Sequence, residues 1–79
     1  MYMDQMKIGK FIALCRKEKQ LTQKQLAERL HLTDRAISKW ENGKSTPDSS
    51  VMLALCQELG ISVNELLCGE KIEMQDYNK

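Results

Sequence analysis

The 79 residues carry few groups suited to covalent chemistry. His31 is the only histidine, and Cys15, Cys56 and Cys68 lack the spacing, with it or with one another, that holds a metal ion. There is no glycine-rich phosphate loop. The sequence therefore argues against an enzyme, a metal site or a bound cofactor, and what remains is the chemistry of recognition. In "LTDRAISKWENGKSTP", residues 32–47, a short helix would hide Ile37 and Trp40 and turn Asp34, Arg35, Ser38 and Lys39 outward. Such a face is either an ordinary solvated surface or an edge shaped to enter a groove.

The charge distribution bears on that choice. Residues 1–44 hold ten Lys and Arg against five acids, net +5, whereas residues 45–79 hold two Lys against six acids, net −4, leaving +1 for the chain. The basic excess belongs to the half that contains the polar helix, as expected if one face meets a polyanion. The odd number of cysteines, two of them at apolar positions of helical patterns, reads as reduced core thiols in a cytoplasmic protein. The longest apolar stretch, Val51 to Cys56, is far too short to span a bilayer, and the N-terminus lacks the apolar core of a signal peptide, so no membrane contact by this segment is expected.

Five short helices account for the patterning. Ile8, Phe11, Ile12 and Cys15 recur at i, i+3, i+4 and i+7 and predict a first amphipathic helix ending near Lys19. In "LTQKQLAERL", Thr22 can cap, Gln25 can complete a capping box and Leu21 can staple to Leu26, so a second helix starts at Gln23. Thr33 caps a third helix from about Asp34 to Glu41, which Asn42-Gly43 ends. Met52, Leu55, Cys56 and Leu59 mark a fourth from about Asp48, closed by Gly60. In "ISVNELL", Ser62 caps, Glu65 boxes and Ile61 staples to Leu66 for a fifth. No segment alternates like a strand. Residues 1–69 are expected to form one domain, and residues 70–79 a polar tail that could begin a linker to a further region.

The second and third helices are joined so tightly, through His31, Leu32 and Thr33, that they must cross steeply and share one apolar seam. Leu26, Ala27, Leu30, Leu32, Ile37 and Trp40 supply that seam, with Ala27 allowing close approach. This is helix-turn-helix geometry. Through "LTQKQLAERLHLTDRAISKWENGKSTP" and "LGISVNELL" the chain resembles the Cro and phage-repressor family of helix-turn-helix regulators, often called Xre-like, over roughly residues 7 to 69. The resemblance implies an all-α, compact five-helix bundle of the lambda-repressor-like type, whose third helix lies in the major groove of double-stranded DNA, usually as a homodimer on a two-fold operator. One departure is His31, at a turn position where the family usually has glycine. Histidine tolerates left-handed backbone better than most side chains, so the turn is expected to be strained and retained.

Carried onto these positions, the resemblance implies that Thr33, Asp34, Arg35 and Lys39 face base edges, with Ser38 adjacent. Arg35 and Lys39 suit guanine O6 and N7, whereas Asp34 suits cytosine N4 or the orientation of Arg35. An acid in a helix's first turn is also stabilised by the helix dipole without any ligand, so Asp34 keeps both readings. Gln23 matches the family's phosphate-contacting glutamine, Thr22 precedes it, and Asn42 and Lys44 look similarly placed for phosphate, with helix capping an equal reading for Asn42. Arg16 and Glu41 match a partly buried ion pair linking the first helix to the end of the third. Gly60, Ile61, Val63 and Asn64 would lie near the two-fold axis. Repression is the sign of regulation that the family suggests. The alternative is a protein-interaction or antitoxin-like module on the same fold, against which the retention of Gln23, Arg35, Lys39 and Lys44 on one predicted face argues.

Overall fold

The computed structural model of the chain describes residues 4–72. Within them lie five helices, α1 (Gln5–Glu18), α2 (Gln23–Arg29), α3 (Asp34–Glu41), α4 (Ser49–Leu59) and α5 (Val63–Cys68), and no strand. The expected all-α architecture with a helix-turn-helix at α2 and α3 is therefore present. One boundary differs: α1 begins a turn before the apolar periodicity does, because Asp4 caps it, its Oδ1 accepting from the backbone N–H of Met6 at 3.0 Å and Lys7 at 3.2 Å.

The starts of α2 and α5 are complete capping boxes. Thr22 Oγ1 accepts from Gln25 N at 3.0 Å while Gln25 Oε1 accepts from Thr22 N at 2.9 Å, and Ser62 and Glu65 repeat the exchange at 3.1 and 2.9 Å. All five helices end at a residue of left-handed backbone. Gly43, Gly60 and Gly69 fill this role after α3, α4 and α5, but Gln20 (φ 60°) and His31 (φ 59°) fill it after α1 and α2. At the α2–α3 turn the N–H of Leu32 reaches Ala27 O at 2.8 Å and that of His31 reaches Glu28 O at 3.2 Å, the paired bonds of a Schellman close. The left-handed turn expected at His31 is thus retained without glycine.

α1 and α3 form the centre of the core, α1 packing on α3, α4 and α5 and α3 on α1 and α2. Ile37, fully buried, and Trp40 seat α3 against α1 and α2, together with Ile8, Phe11, Ile12, Cys15 and Leu26. Leu55, Cys56, Leu59 and Leu66 extend the same cluster beneath α4 and α5, and Leu21 and Ile61, the two staple residues, pack on its edge with Leu32, which precedes the Thr33 cap. α1 approaches the end of α3 at Gly9, where a Cβ would collide with the carbonyl oxygen of Trp40 and lie 3.0 Å from that of Glu41. Two long side chains would hold these helices farther apart. Beyond α5, Glu70 and Lys71 reach back to α1, pairing with Lys7 at 3.0 Å and Glu18 at 3.2 Å, and Ile72 N donates to Glu65 Oε2 at 2.9 Å. Residues 73–79 of the expected polar tail lie outside the described residues. No helix among the described residues is long and apolar enough to cross a membrane.

Candidate nucleic-acid interface

With Ile37 and Trp40 committed to the core, the rest of α3 follows from the helical period. Arg35, Ser38, Lys39 and Asn42 recur at i, i+3, i+4 and i+7, so they share the face opposite the seam. Thr33, Asp34, Arg35 and Lys39 are exposed and Ser38 is half-buried. Thr33 is the cap, its Oγ1 accepting from Ala36 N at 3.4 Å, and Asp34 stands in the first turn where the helix dipole favours an acid. The four ion pairs among the described residues are Lys7–Glu70, Arg16–Glu41, Arg29–Glu58 and Lys71–Glu18. None involves Asp34, Arg35, Lys39 or Lys44. Among the described residues, the outer face of α3 and the loop behind it therefore present Arg35, Lys39 and Lys44 outside any ion pair.

Behind this face a buried polar network sets the relation of three helices. Arg16 Nε and Nη2 donate to Glu41 Oε2 and Oε1 at 2.7 and 3.1 Å, a two-pronged pair with side chains 11% and 7% exposed. The third arm, Nη1, donates to the backbone carbonyl of Leu21 at 2.7 Å and so holds the loop that leads into α2. The hydrogen bond with Glu41 raises the Arg16 pKa above its ordinary value, against the opposing effect of burial. Gln23 completes the network: its Nε2 donates to Glu41 Oε1 at 2.9 Å, across 18 residues of sequence. Every buried side-chain nitrogen and oxygen among the described residues has a partner.

The structure therefore brings Gln23, at the start of α2, beside the end of α3, where Asn42 and Lys44 follow. It also shows what else these residues do. Asn42 Nδ2 donates to Ser38 O at 2.8 Å and Ser38 Oγ at 3.2 Å, which folds that side chain onto its own helix, and Thr22 is engaged in the α2 capping box. Lys44 is exposed, with its backbone N–H donating to Lys39 O at 2.9 Å. Sequence reasoning missed the Gln23–Glu41 bond, which spans 18 residues and has no signal at short range, and the Arg16–Leu21 bond, which is local to the close of α1. It also passed over Gly9, although a glycine inside a helical pattern marks a close approach.

A helix-turn-helix domain family matches residues 9–72, most of the chain, from within α1 to beyond α5. The chain belongs to that family. It is 43% identical to the HTH-type transcriptional activator BcrR of Enterococcus faecalis over 54 residues, 68% of this chain and 26% of that protein. It is 36% identical to the immunity repressor protein of Bacillus phage phi105 over 76 residues, 92% of this chain and 53% of the phage protein. It thus spans about a quarter of the first relative and about half of the second. Among solved structures, the P22 c2 repressor in complex with synthetic operator 9T superposes with a TM-score of 0.76 at 32% identity, covering 80% of this chain and 96% of that one. The restriction-modification controller protein C.AhdI of Aeromonas hydrophila superposes with a TM-score of 0.73 at 28% identity. The family's defining unit, two helices about a tight turn, is the unit formed here by α2, His31 and α3.

Proposed function

We propose that this chain is a sequence-specific double-stranded DNA-binding transcriptional regulator, a repressor, that lays α3 in the major groove as a homodimer. The observation that carries the proposal is the outer face of α3, where Arg35 and Lys39 stand exposed and, among the described residues, in no ion pair, on a helix anchored by Ile37 and Trp40. An eight-residue helix is about 12 Å long, enough to present these side chains to a few successive base pairs. In this reading Thr33, Asp34, Arg35, Ser38 and Lys39 meet base edges, and Thr22, Gln23, Asn42 and Lys44 meet phosphates, which set register without reading sequence. Arg16 and Glu41 hold the two groups of contacts in fixed relation. Repression follows the phi105 and P22 proteins, whereas BcrR is named an activator.

The same proposal includes a domain of residues 1–69, a polar tail of residues 70–79, a role without catalysis or cofactor, and a cytoplasmic setting. The two-fold contact would use Gly60, Ile61, Val63 and Asn64, of which Gly60 and Asn64 are exposed and Ile61 and Val63 half-buried. The experiment is enrichment of this chain's targets from a random duplex pool at moderate salt. A recovered site with two related halves about 34 Å apart is the expected result. A pool that shows no enrichment would leave the protein-interaction reading in its place.

A further inference from the structure

We infer that Glu41 is a positioning residue for Gln23: by accepting from Gln23 Nε2, it fixes which atoms of that amide are left to meet DNA. The inference rests on the DNA-binding reading and adds a role that the sequence did not suggest. An ionised carboxylate only accepts, and a glutamine amide has a donor end and an acceptor end that rotation can exchange. Glu41 is itself held from behind by two arms of Arg16, at 2.7 and 3.1 Å, and is nearly buried, so it cannot swing to follow Gln23. Turning the Gln23 amide over would set its oxygen against Glu41 Oε1 with no proton between them. The 2.9 Å bond therefore selects one amide orientation.

Phosphate oxygens accept only, so the Gln23 side chain can bind one only by donating. One of its two Nε2 hydrogens is committed to Glu41. The other is the single donor left, and its direction is set by the plane of an amide that Glu41 holds. The contact group is thus ordered before DNA arrives, which lowers the ordering cost of binding. Glu41, at the end of α3, touches no DNA in this account and acts through a residue of α2.

The test is binding to a scrambled duplex by the unaltered chain, Gln23→Ala, Glu41→Gln and the double variant, at a temperature where circular dichroism shows all four folded. Gln23→Ala should weaken binding about tenfold, the low end for one hydrogen bond to a charged acceptor. Glu41→Gln should weaken it by a similar factor, and the double variant should bind no more weakly than either single one. A purely structural Glu41 would lower the melting temperature and leave the affinity of the folded protein unchanged. That outcome, or losses that multiply in the double variant, overturns the inference while the DNA reading stands. If the unaltered chain binds no duplex, the DNA reading fails first and the inference with it. Should Glu41→Gln not fold, the Gln23 side-chain amide in the unaltered chain decides by NMR. Addition of duplex should move one of its two proton resonances and leave the one bonded to Glu41 in place, whereas equal movement of both overturns the inference.

Discussion

Arg16 and Glu41, 25 residues apart in sequence, meet through two hydrogen bonds of 2.7 and 3.1 Å at the junction of α1 with the end of α3. Removing one member leaves the other as a charge in a site with little access to water. Arg16→Ala should cost about 3 kcal/mol, the lower end for breaking a buried pair because this one keeps slight exposure. Domains of this size have only about 5–15 kcal/mol to lose. Urea unfolding of Arg16→Ala, Glu41→Ala and the double variant checks this, and a coupling energy near zero would mean that the two charges act independently.

Gly9→Ala sets two effects against each other. Alanine is favoured over glycine inside a helix by about 1 kcal/mol, but its methyl would collide with Trp40 O, a backbone atom that cannot step aside without moving α3. Overpacking of this kind costs typically 1–3 kcal/mol. The net change is expected to be destabilising, and thermal unfolding gives its sign directly. A rise in melting temperature would show that α1 and α3 can separate freely.

His31→Gly should stabilise the domain. His31 holds φ 59°, a backbone region that costs an L-residue roughly 1–2 kcal/mol and glycine almost nothing. Glycine returns part of this gain through the greater freedom of its unfolded chain, about 0.4–1 kcal/mol. A net gain of roughly 0.5–1 kcal/mol remains, readable as a higher urea midpoint at unchanged slope. Unchanged or lowered stability would show that the imidazole contributes a contact of its own.

Arg35→Ala and Lys44→Ala should differ in kind. Loss of Arg35 should cost about 1–3 kcal/mol on the preferred operator and relax the preference at one base pair. Loss of Lys44 should weaken all duplexes alike and reduce the salt slope by roughly one. Binding of each variant to operator and scrambled duplex over a salt series separates them. If Arg35→Ala lowers both affinities equally, α3 does not read sequence through that side chain.

Cys15 and Cys56 are buried and Cys68 is exposed. Burial pushes the two core thiols above their ordinary range. A disulfide-exchange reagent should therefore label one thiol promptly in the folded chain and all three in denaturant. The same shift carries a pH dependence. The folded state resists an ionisation that the unfolded chain undergoes above roughly pH 8.5, so the contribution of these thiols is fully present below that pH and is lost above it. Urea midpoints should fall from pH 8 to pH 10, and a midpoint that rises over that range would contradict the assignment.

The sequence by itself determined the helices and much of their punctuation. Thr22 with Gln25, Ser62 with Glu65, Thr33, and the glycines at 43 and 60 act within three to six residues, and a short-range hydrogen bond or a left-handed stop needs no knowledge of the rest of the chain. The polar outer face of α3 was legible for the same reason, since burying Ile37 and Trp40 fixes by periodicity what is left outside. The start of α1 was not, because Asp4 caps a turn that has no apolar rhythm of its own. Tertiary structure decided how the helices meet. Gly9 against the end of α3, Arg16 on Glu41, and Gln23 on Glu41 all join residues whose neighbourhood exists only once α1, α2 and α3 have taken their crossing angles. Those angles come from the fit of whole side-chain surfaces. The sequence therefore placed a donor at position 23 and an acceptor at position 41, and only the packing of three helices on one core made them partners.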